Sequence, residues 1–186
     1  MNYKLVDNRI EFTDEKLTEN STNMISVIST YKFTKYMEQM PDGISILRSN
    51  ETRYTKLDVK NKYLQGVIYM PSKKDIFNHT RFGYLIFNRN ILFIDSSDTV
   101  INIIEQLRHS SIDMPTIWKF YYHFLNMLID RDLLYLQDIE NSLSTFENNL
   151  LDGGIDEYNQ RRYYIYKKKV VNQYRFIPNF LKSNIS

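Results

Sequence analysis

The feature that most constrains this chain is a long stretch without helix breakers in its C-terminal half. After Pro115, no Gly or Pro occurs until Gly153, which leaves about 38 residues, or roughly 57 Å of helix at about 1.5 Å per residue. Apart from one break at Asp132, its apolar residues recur three and four apart, at Trp118, Tyr122, Leu125, Ile129, Leu136, Ile139, Leu143, Phe146 and Leu150. The pattern predicts one long helix, because proline is tolerated in a first turn and glycine commonly ends a helix.

The next segment predicts a partner for that helix, since an apolar stripe of this length must be covered. Asp152-Gly153-Gly154 indicates a tight turn, and Pro178 predicts a kink further on. Between and beyond them, apolar residues repeat at helical spacing at Tyr163, Tyr166, Val170, Tyr174, Ile177 and Leu181. We therefore expect a long antiparallel helical hairpin over residues 113–186.

The N-terminal half has the shorter period of strands. Tyr63–Met70 is rich in β-branched and aromatic residues, and Asn88-Arg89-Asn90 separates two apolar runs, which is typical of a hairpin. Gly66 and Gly83 within these runs suggest bulges or close packing. Two more strands are expected at Leu5–Phe12 and Gly43–Leu47, a short helix at Ser26–Met40, and a helix from Ser97 or Asp98 to about His109.

These elements predict an α+β fold. We expect a mixed, largely antiparallel sheet with helices on its faces, an α/β/α sandwich over residues 1–112, followed by the long helical hairpin. The composition agrees with a packed core, since 42% of the residues are hydrophobic and 25% are charged.

Composition and motifs also exclude several classes of protein. The 24 basic and 22 acidic residues give a net charge of +2, whereas a dedicated nucleic-acid binder needs a more basic surface. The chain has no Cys, which excludes disulfides and thiolate chemistry. The apolar runs are too short for a signal peptide or a membrane span. With no nucleotide-binding loop or catalytic motif, we predict that the protein is not an enzyme.

Four segments carry a resemblance to a known family. Asn88–Ile94 resembles a strand pair with a short polar turn, and Leu128–Asp132 is similar to the helix pattern L-h-D-x-h-V-D, in which h is apolar. Asp138–Leu143 resembles h-D-x-E-h-D-x-L-E, and Arg161–Asn179 resembles a basic helix ending in h-h-P-h-R. With the order of elements, these segments resemble the cytoplasmic region of CorA-type divalent-cation transporters from about Thr52 to the C-terminus.

The resemblance implies a homopentamer whose cytoplasmic domains form a funnel below a pore for hydrated Mg²⁺, and often Co²⁺ or Ni²⁺. It implies a chain cut before the transmembrane helices, on the cytoplasmic face of the inner or plasma membrane, with a Gly-Met-Asn signature beyond Ser186. Divalent ions between neighbouring domains would keep the pore closed, because a hard cation neutralises carboxylates that otherwise repel. The alternatives are a zinc-transporting relative and a free-standing soluble adaptor that binds a partner coiled coil through its hairpin.

The candidate metal ligands are the acidic residues at turns, Asp42, Asp95 and Asp98. Asp95 and Asp98 could instead be turn and cap residues. Asp130, Asp132, Asp138 and Glu140 form either a cation-attracting face or a solvated one. The family's regulatory Asp pair has no residue-by-residue match here, so the resemblance assigns no ligand.

The remaining conspicuous residues have ordinary explanations. His79, His109 and His123 share no metal-ligand spacing, and Trp118 is expected in the core or between helices. The basic and aromatic run Arg161–Lys169 could bind single-stranded nucleic acid or attract acidic helices of a neighbouring subunit. We expect the second of these and no nucleic acid.

Overall fold

The computed structural model describes residues 1–18, 20–37, 55–59, 62–72, 78–130, 132–151 and 160–171. The strands are β1 (Asn2–Val6), β2 (Arg9–Phe12), β3 (Met24–Ile28), β4 (Lys56–Val59), β5 (Tyr63–Pro71), β6 (His79–Phe87) and β7 (Asn90–Ile94). The helices are α1 (Thr30–Met37), α2 (Thr99–Arg108), α3 (Ile117–Ile129), α4 (Asp132–Leu151) and α5 (160–171). The predicted strand at Gly43–Leu47, the turn at Asp152–Gly154 and the kink at Pro178 lie outside the described residues.

All seven strands form one mixed sheet in the order β2-β1-β3-β7-β6-β5-β4. Every neighbouring pair is antiparallel except β3 and β7, which run parallel with Ile25 opposite Ile91 and Ile28 opposite Ile94. The predicted α+β class, with a mixed and largely antiparallel sheet, is confirmed.

The helix predicted from Ser26 was wrong over its first residues. Ser26 to Ile28 belong to β3, and the helix begins only at Thr30. The strand sits in the middle of the sheet, where both of its faces are covered, and four of its five residues are buried. A strand buried on both faces lacks the alternation of polar and apolar residues that would distinguish it from a helix.

Two hairpins close through two-residue turns in which both residues have positive φ. In the β6–β7 turn these are Asn88 at 46° and Arg89 at 59°, and the predicted hairpin is confirmed. In the β1–β2 turn they are Asp7 at 47° and Asn8 at 65°. Such turns match the right-handed twist of paired strands. The sequence interpretation read this second hairpin as one run, Leu5–Phe12, because Asp and Asn without Gly give a weaker turn signal.

One face of the sheet packs against α2 and α3 through a cluster of aromatic rings. Phe93 of β7 lies 4.6 Å from Phe124 of α3 between ring centroids, and Phe82 of β6 lies 5.9 Å from Phe124. The opposite face holds a smaller buried cluster that includes Phe33 of α1, Leu85 and Leu92. Helices therefore cover both faces of the sheet.

The single helix predicted after Pro115 is interrupted. Helix α3 ends at Ile129, Asp130 adopts an extended backbone with φ −56° and ψ 134°, and α4 begins at Asp132. Aspartates disfavour a helix interior because their side chains compete for backbone hydrogen bonds, so the two acids flanking Arg131 explain the break without Gly or Pro.

Helices α4 and α5 contact each other at two described positions. The rings of Phe146 and Tyr163 stack with centroids 5.2 Å apart, and a side-chain hydrogen bond links Ser142 to Tyr166. Ser142 lies one turn before Phe146 in α4, whereas its partner Tyr166 lies about one turn after Tyr163 in α5. The two helices therefore run antiparallel. A long hairpin of α4 and α5, joined by the turn at Asp152–Gly154, stays a prediction.

Gly66 of β5 is held between its neighbours with no room for a side chain. A Cβ there would lie 2.5 Å from Cζ of Tyr84 and 2.7 Å from the backbone oxygen of Lys56. Tyr84 is fully buried, so neither neighbour can move away. We expect Gly66→Ala to lower the free energy of unfolding by about 1–3 kcal/mol in chemical denaturation, as overpacked cores do. Lys56→Ala, at an exposed side chain on β4, is the control, and an equal effect of the two variants would contradict the close packing.

The buried Tyr84 also predicts sensitivity to alkali. Burial raises the pKa of Tyr84 to about 12, above its ordinary value of 10.0, while Tyr121, whose ring centroid lies 5.2 Å away, forms a side-chain hydrogen bond that opposes the rise. The unfolded chain loses this proton near pH 10 and the folded chain near pH 12. Stability is therefore complete below pH 10 and falls as the pH rises toward 12.

Urea denaturation between pH 9 and pH 12 measures this loss. We expect Tyr84→Phe to flatten the fall in unfolding free energy across this range, whereas Tyr122→Phe, at an exposed ring, should leave it unchanged. An unchanged slope in Tyr84→Phe would refute the assignment to this residue.

Candidate functional site

The carboxyl ends of the parallel strands β3 and β7 meet at one edge of the sheet, and α1 and α2 follow directly. Loops that leave parallel strands side by side form a crevice where ligands commonly bind in α/β sheets. A cleft of about 510 Å³ lies there. Its polar and charged lining comes from Met1, Asn2, Lys16, Ser26, Ser29, Lys32, Asp95, Ser96 and Asp98. Two of the three predicted metal ligands, Asp95 and Asp98, thus line one cleft, and Asp42 lies outside the described residues.

The Asp95 side chain of this cleft is held in place by three hydrogen bonds. Its side chain is buried, and its carboxylate accepts hydrogen bonds from the Ser97 amide at 2.7 Å, the Ser97 hydroxyl at 2.6 Å and the Val100 amide at 2.8 Å. The Val100 amide belongs to the first turn of α2, so Asp95 satisfies a donor that has no partner within the helix. This is the capping role that the sequence interpretation left open for it.

Asp98 has a different position. It precedes α2 with a left-handed backbone, φ 59°, and its side chain makes no capping hydrogen bond. The side chain is exposed at the mouth of the cleft. The predicted helix start is therefore confirmed, while the side-chain bond to the helix comes from Asp95, three residues earlier. Asp98 is the cleft carboxylate that a ligand can reach.

The two loops around the cleft are tied together. The backbone amide of Asp95 donates to the carbonyl of Ile28 at 2.9 Å, which extends the parallel ladder by one residue. The Thr30 amide donates to Oγ of Ser96 at 3.2 Å, and the two hydroxyls lie 2.9 Å apart. The start of α1 is thus fixed to the β7–α2 loop, and the cleft has rigid walls.

Cationic groups face the same space. Lys16 and Lys32 line the cleft with the Met1 ammonium, whose pKa is lowered by burial and by the nearby charge of Lys32. Together with the two carboxylates they make a cleft of mixed charge, suited to a small polar or charged ligand. Sequence reasoning missed both lysines, because no local pattern connects the β2–β3 loop, which holds Lys16, with helix α1, which holds Lys32.

The other candidates do not join this cleft. Within the described ranges, no group of three or more His, Cys, Asp or Glu side chains converges as a metal site would require. His79 stacks on Tyr69 with centroids 4.7 Å apart, and the pKa of His123 is lowered by burial and by Lys119. Assignment of a metal to Asp95 or Asp98 stays a prediction.

The core placement predicted for Trp118 was wrong. Trp118 and Tyr122 are each 54% exposed, while the buried face of α3 consists of Ile117, Phe120, Tyr121, Phe124, Leu125 and Leu128. The predicted stripe was wrong for Trp118 and Tyr122, whereas its Leu125 does lie on the buried face. Almost every residue of α3 is apolar, so spacing alone could not identify the face that packs on the sheet.

The capping geometry yields a test that separates the two acids. We expect Asp95→Ala to lower the free energy of unfolding by about 1–2 kcal/mol, because the cap of α2 is lost. Asp98→Ala, the matched control, should leave stability nearly unchanged, since its side chain caps nothing. Thermal or urea denaturation measures both, and a larger loss in Asp98→Ala would contradict the roles assigned here.

Helix length and polarity bear on membrane insertion. In the part of the chain that the structure describes, no helix is long and apolar enough to cross a bilayer.

Sequence comparison finds no matching protein-family model and no significant match among curated proteins. Solved structures do match. The full-length CmaX protein aligns at a TM-score of 0.64 and 14% identity, covering 96% of this chain and 59% of CmaX. The complete CorA magnesium transporter from Methanocaldococcus jannaschii aligns at 0.62 and 18%, covering 99% of this chain and 58% of the transporter.

The soluble domain of the same CorA aligns over 100% of this chain and 75% of the domain, with a TM-score of 0.57 and 18% identity. The chain spans about three-fifths of the length of the full-length proteins that it matches. Likeness at this level of identity is a likeness of fold. The chain therefore has the same fold as the soluble domain of CorA.

Proposed function

We propose that this chain is the cytoplasmic regulatory domain of a CorA-like divalent-cation transporter, with a gating rather than an enzymatic role. The observation that carries the proposal is the alignment of the whole chain with the soluble domain of CorA. The neighbour described as a complete magnesium transporter contains the same fold in a longer chain. Mg²⁺ is the proposed ion, with Co²⁺, Ni²⁺ or Zn²⁺ as alternatives for the test.

The architecture suits a domain that transmits a signal along helices. Helix α3 packs on the sheet, while α4 continues beyond it and contacts α5 through Phe146 and Tyr163. We propose that these helices extend into the predicted hairpin, and that five copies surround a pore in the membrane. A rigid sheet domain could then move its attached helices as one body.

Gating would depend on where carboxylates from neighbouring copies approach each other. A divalent ion between them relieves their repulsion and favours the arrangement in which they are close. The exposed Asp98 is the described residue best placed for such a role, and Asp42 and Asp95 remain the other proposed ligands. Mg²⁺ suits a sensor because it keeps several waters and binds through few carboxylates.

The test begins with the reading frame beyond Ser186. We expect two apolar segments of about 20 residues each, long enough to span a bilayer, with Gly-Met-Asn between them. The complete protein, purified and reconstituted in liposomes that contain a Mg²⁺-sensitive dye, should then take up Mg²⁺. Co²⁺, Ni²⁺ and Zn²⁺ added in competition identify the preferred ion.

Either of two results would refute the proposal. One is a reading frame that ends without apolar spans, which would favour the soluble adaptor. The other is a complete protein in liposomes that passes none of these ions, judged against empty liposomes. Uptake that persists unchanged when Mg²⁺ is raised on the side of the soluble domain would remove the gating role alone.

A further inference from the structure

We propose that an aromatic and basic surface around Trp118 binds helix α4 of a second copy of this chain. This surface, the Trp118 patch, consists of Val59, Lys62, Arg89, Trp118, Lys119 and Tyr122. The proposal deepens the proposed function, because it specifies one contact of the oligomer that such a transporter requires. It concerns a different region from the cleft, since the patch lies at the amino end of β7 and the cleft at its carboxyl end.

The patch exposes large apolar side chains beside a shallow cavity. Trp118 and Tyr122 are each 54% exposed and Val59 is 69% exposed. A cavity of about 260 Å³ lies between the first turn of α3, the β6–β7 turn and the start of β5. Trp118 is the only tryptophan of the chain. Tryptophan and tyrosine beside a pocket are the residues that most often contribute binding free energy in protein interfaces.

The charged residues of the patch all have one sign. Lys62, Arg89 and Lys119 are exposed, and none of them forms an ion pair with another described residue. Nζ of Lys119 lies 5.1 Å from the ring centroid of Tyr122, so its charge is held over the aromatic surface. No acidic residue is among the described residues that line the cavity. The complementary partner is therefore an acidic surface with apolar character.

Helix α4 has those properties. Asp132–Leu151 contains four acidic residues and no Lys or Arg. The side chains of Asp138, Glu140 and Glu147 are exposed, and Glu140 and Glu147, seven residues apart, share one face. The apolar side of α4 is turned toward α5, where Phe146 is buried against Tyr163. The acidic face of α4 therefore remains accessible.

A second copy supplies this helix more readily than the same chain. From Trp118 to Ile129, helix α3 rises about 16 Å, and α4 begins only beyond that end. Of the described residues that form the two hydrophobic clusters of the sheet, none belongs to α4. A contact between two different surfaces of identical chains is heterologous, and repeated contacts of this kind close into rings when the rotation allows.

Charge reversal tests the contact on the chain of 186 residues, without added ions. Sedimentation velocity over a range of concentrations measures association, and the emission of Trp118 reports whether its ring becomes buried. We expect association with a blue shift of this emission. Lys62→Glu with Lys119→Glu should weaken association about tenfold or more, as should Glu140→Lys with Glu147→Lys.

The decisive variant combines all four reversals, which should restore association because the charges are again complementary. The matched control is Lys16→Glu with Lys32→Glu, which changes the net charge by the same amount as the patch reversal but at the cleft. It should leave association unchanged, because the contact proposed for the cleft carboxylates needs a divalent ion and the assay contains none. All six replaced residues have exposed side chains, so folding is expected to survive.

Three outcomes would overturn the proposal. The first is a chain that stays monomeric, or associates without a change in Trp118 emission. The second is weaker association after the patch reversal but not after the helix reversal. This result would indicate that the patch binds another acidic surface of the second copy. The third is a combined variant that does not regain association. This result would occur if α4 binds the basic residues of α5 instead of the patch. None of these readouts measures transport, so their failure leaves the liposome test independent.

Discussion

The parallel pairing of β3 with β7 is the interaction on which the rest of the structure depends. It joins the N-terminal hairpin of β1 and β2 to the antiparallel strands β4 to β6, and so makes one sheet from two distant parts of the chain. All five residues of β7 are buried, because aromatic residues of α3 cover one face and the cluster around Phe33 covers the other. The same pairing places the ends of both strands at one edge, where α1 and α2 begin and the cleft forms.

The parts of the fold that could be predicted from sequence are those encoded by neighbouring residues. The β6–β7 hairpin and the start of α2 depend on a turn and a cap within a few residues, and the strand around Gly66 depends on a local apolar run. The β3–β7 pair could not be predicted in this way, because its partners are separated by about sixty residues and nothing local selects parallel over antiparallel pairing. Helix α3 shows the second limit, since an apolar residue at nearly every position leaves its buried face undetermined.

The cleft shows the same division between local and distant information. Asp95 and Asp98 were recognisable as candidates because a strand-to-helix turn rich in Ser and Asp is visible in the sequence. Their different roles were not, since the three hydrogen bonds to Asp95 depend on the path of the backbone after β7. Lys16 reaches the cleft from the β2–β3 loop and Lys32 from helix α1, and only the folded sheet brings these segments together. The residue types thus indicated which turn carries polar side chains. The tertiary structure determined that Asp98, rather than Asp95, is exposed to a ligand.

This chain and CorA share a fold although only 18% of their aligned residues are identical. A core of this kind tolerates many apolar replacements if volume and pattern are kept, so strand order and helix placement persist while surfaces change. Fold alone therefore does not decide what a protein of this fold binds, because the selectivity of an ion site comes from the number and spacing of its oxygen ligands. In this chain two such surfaces lie near opposite ends of β7, with mixed charge at the cleft and basic charge at the Trp118 patch. The differences in function among proteins of this fold are to be sought at such surfaces, and the buried aromatic rings of β6, β7 and α3 provide the rigid support that keeps them in place.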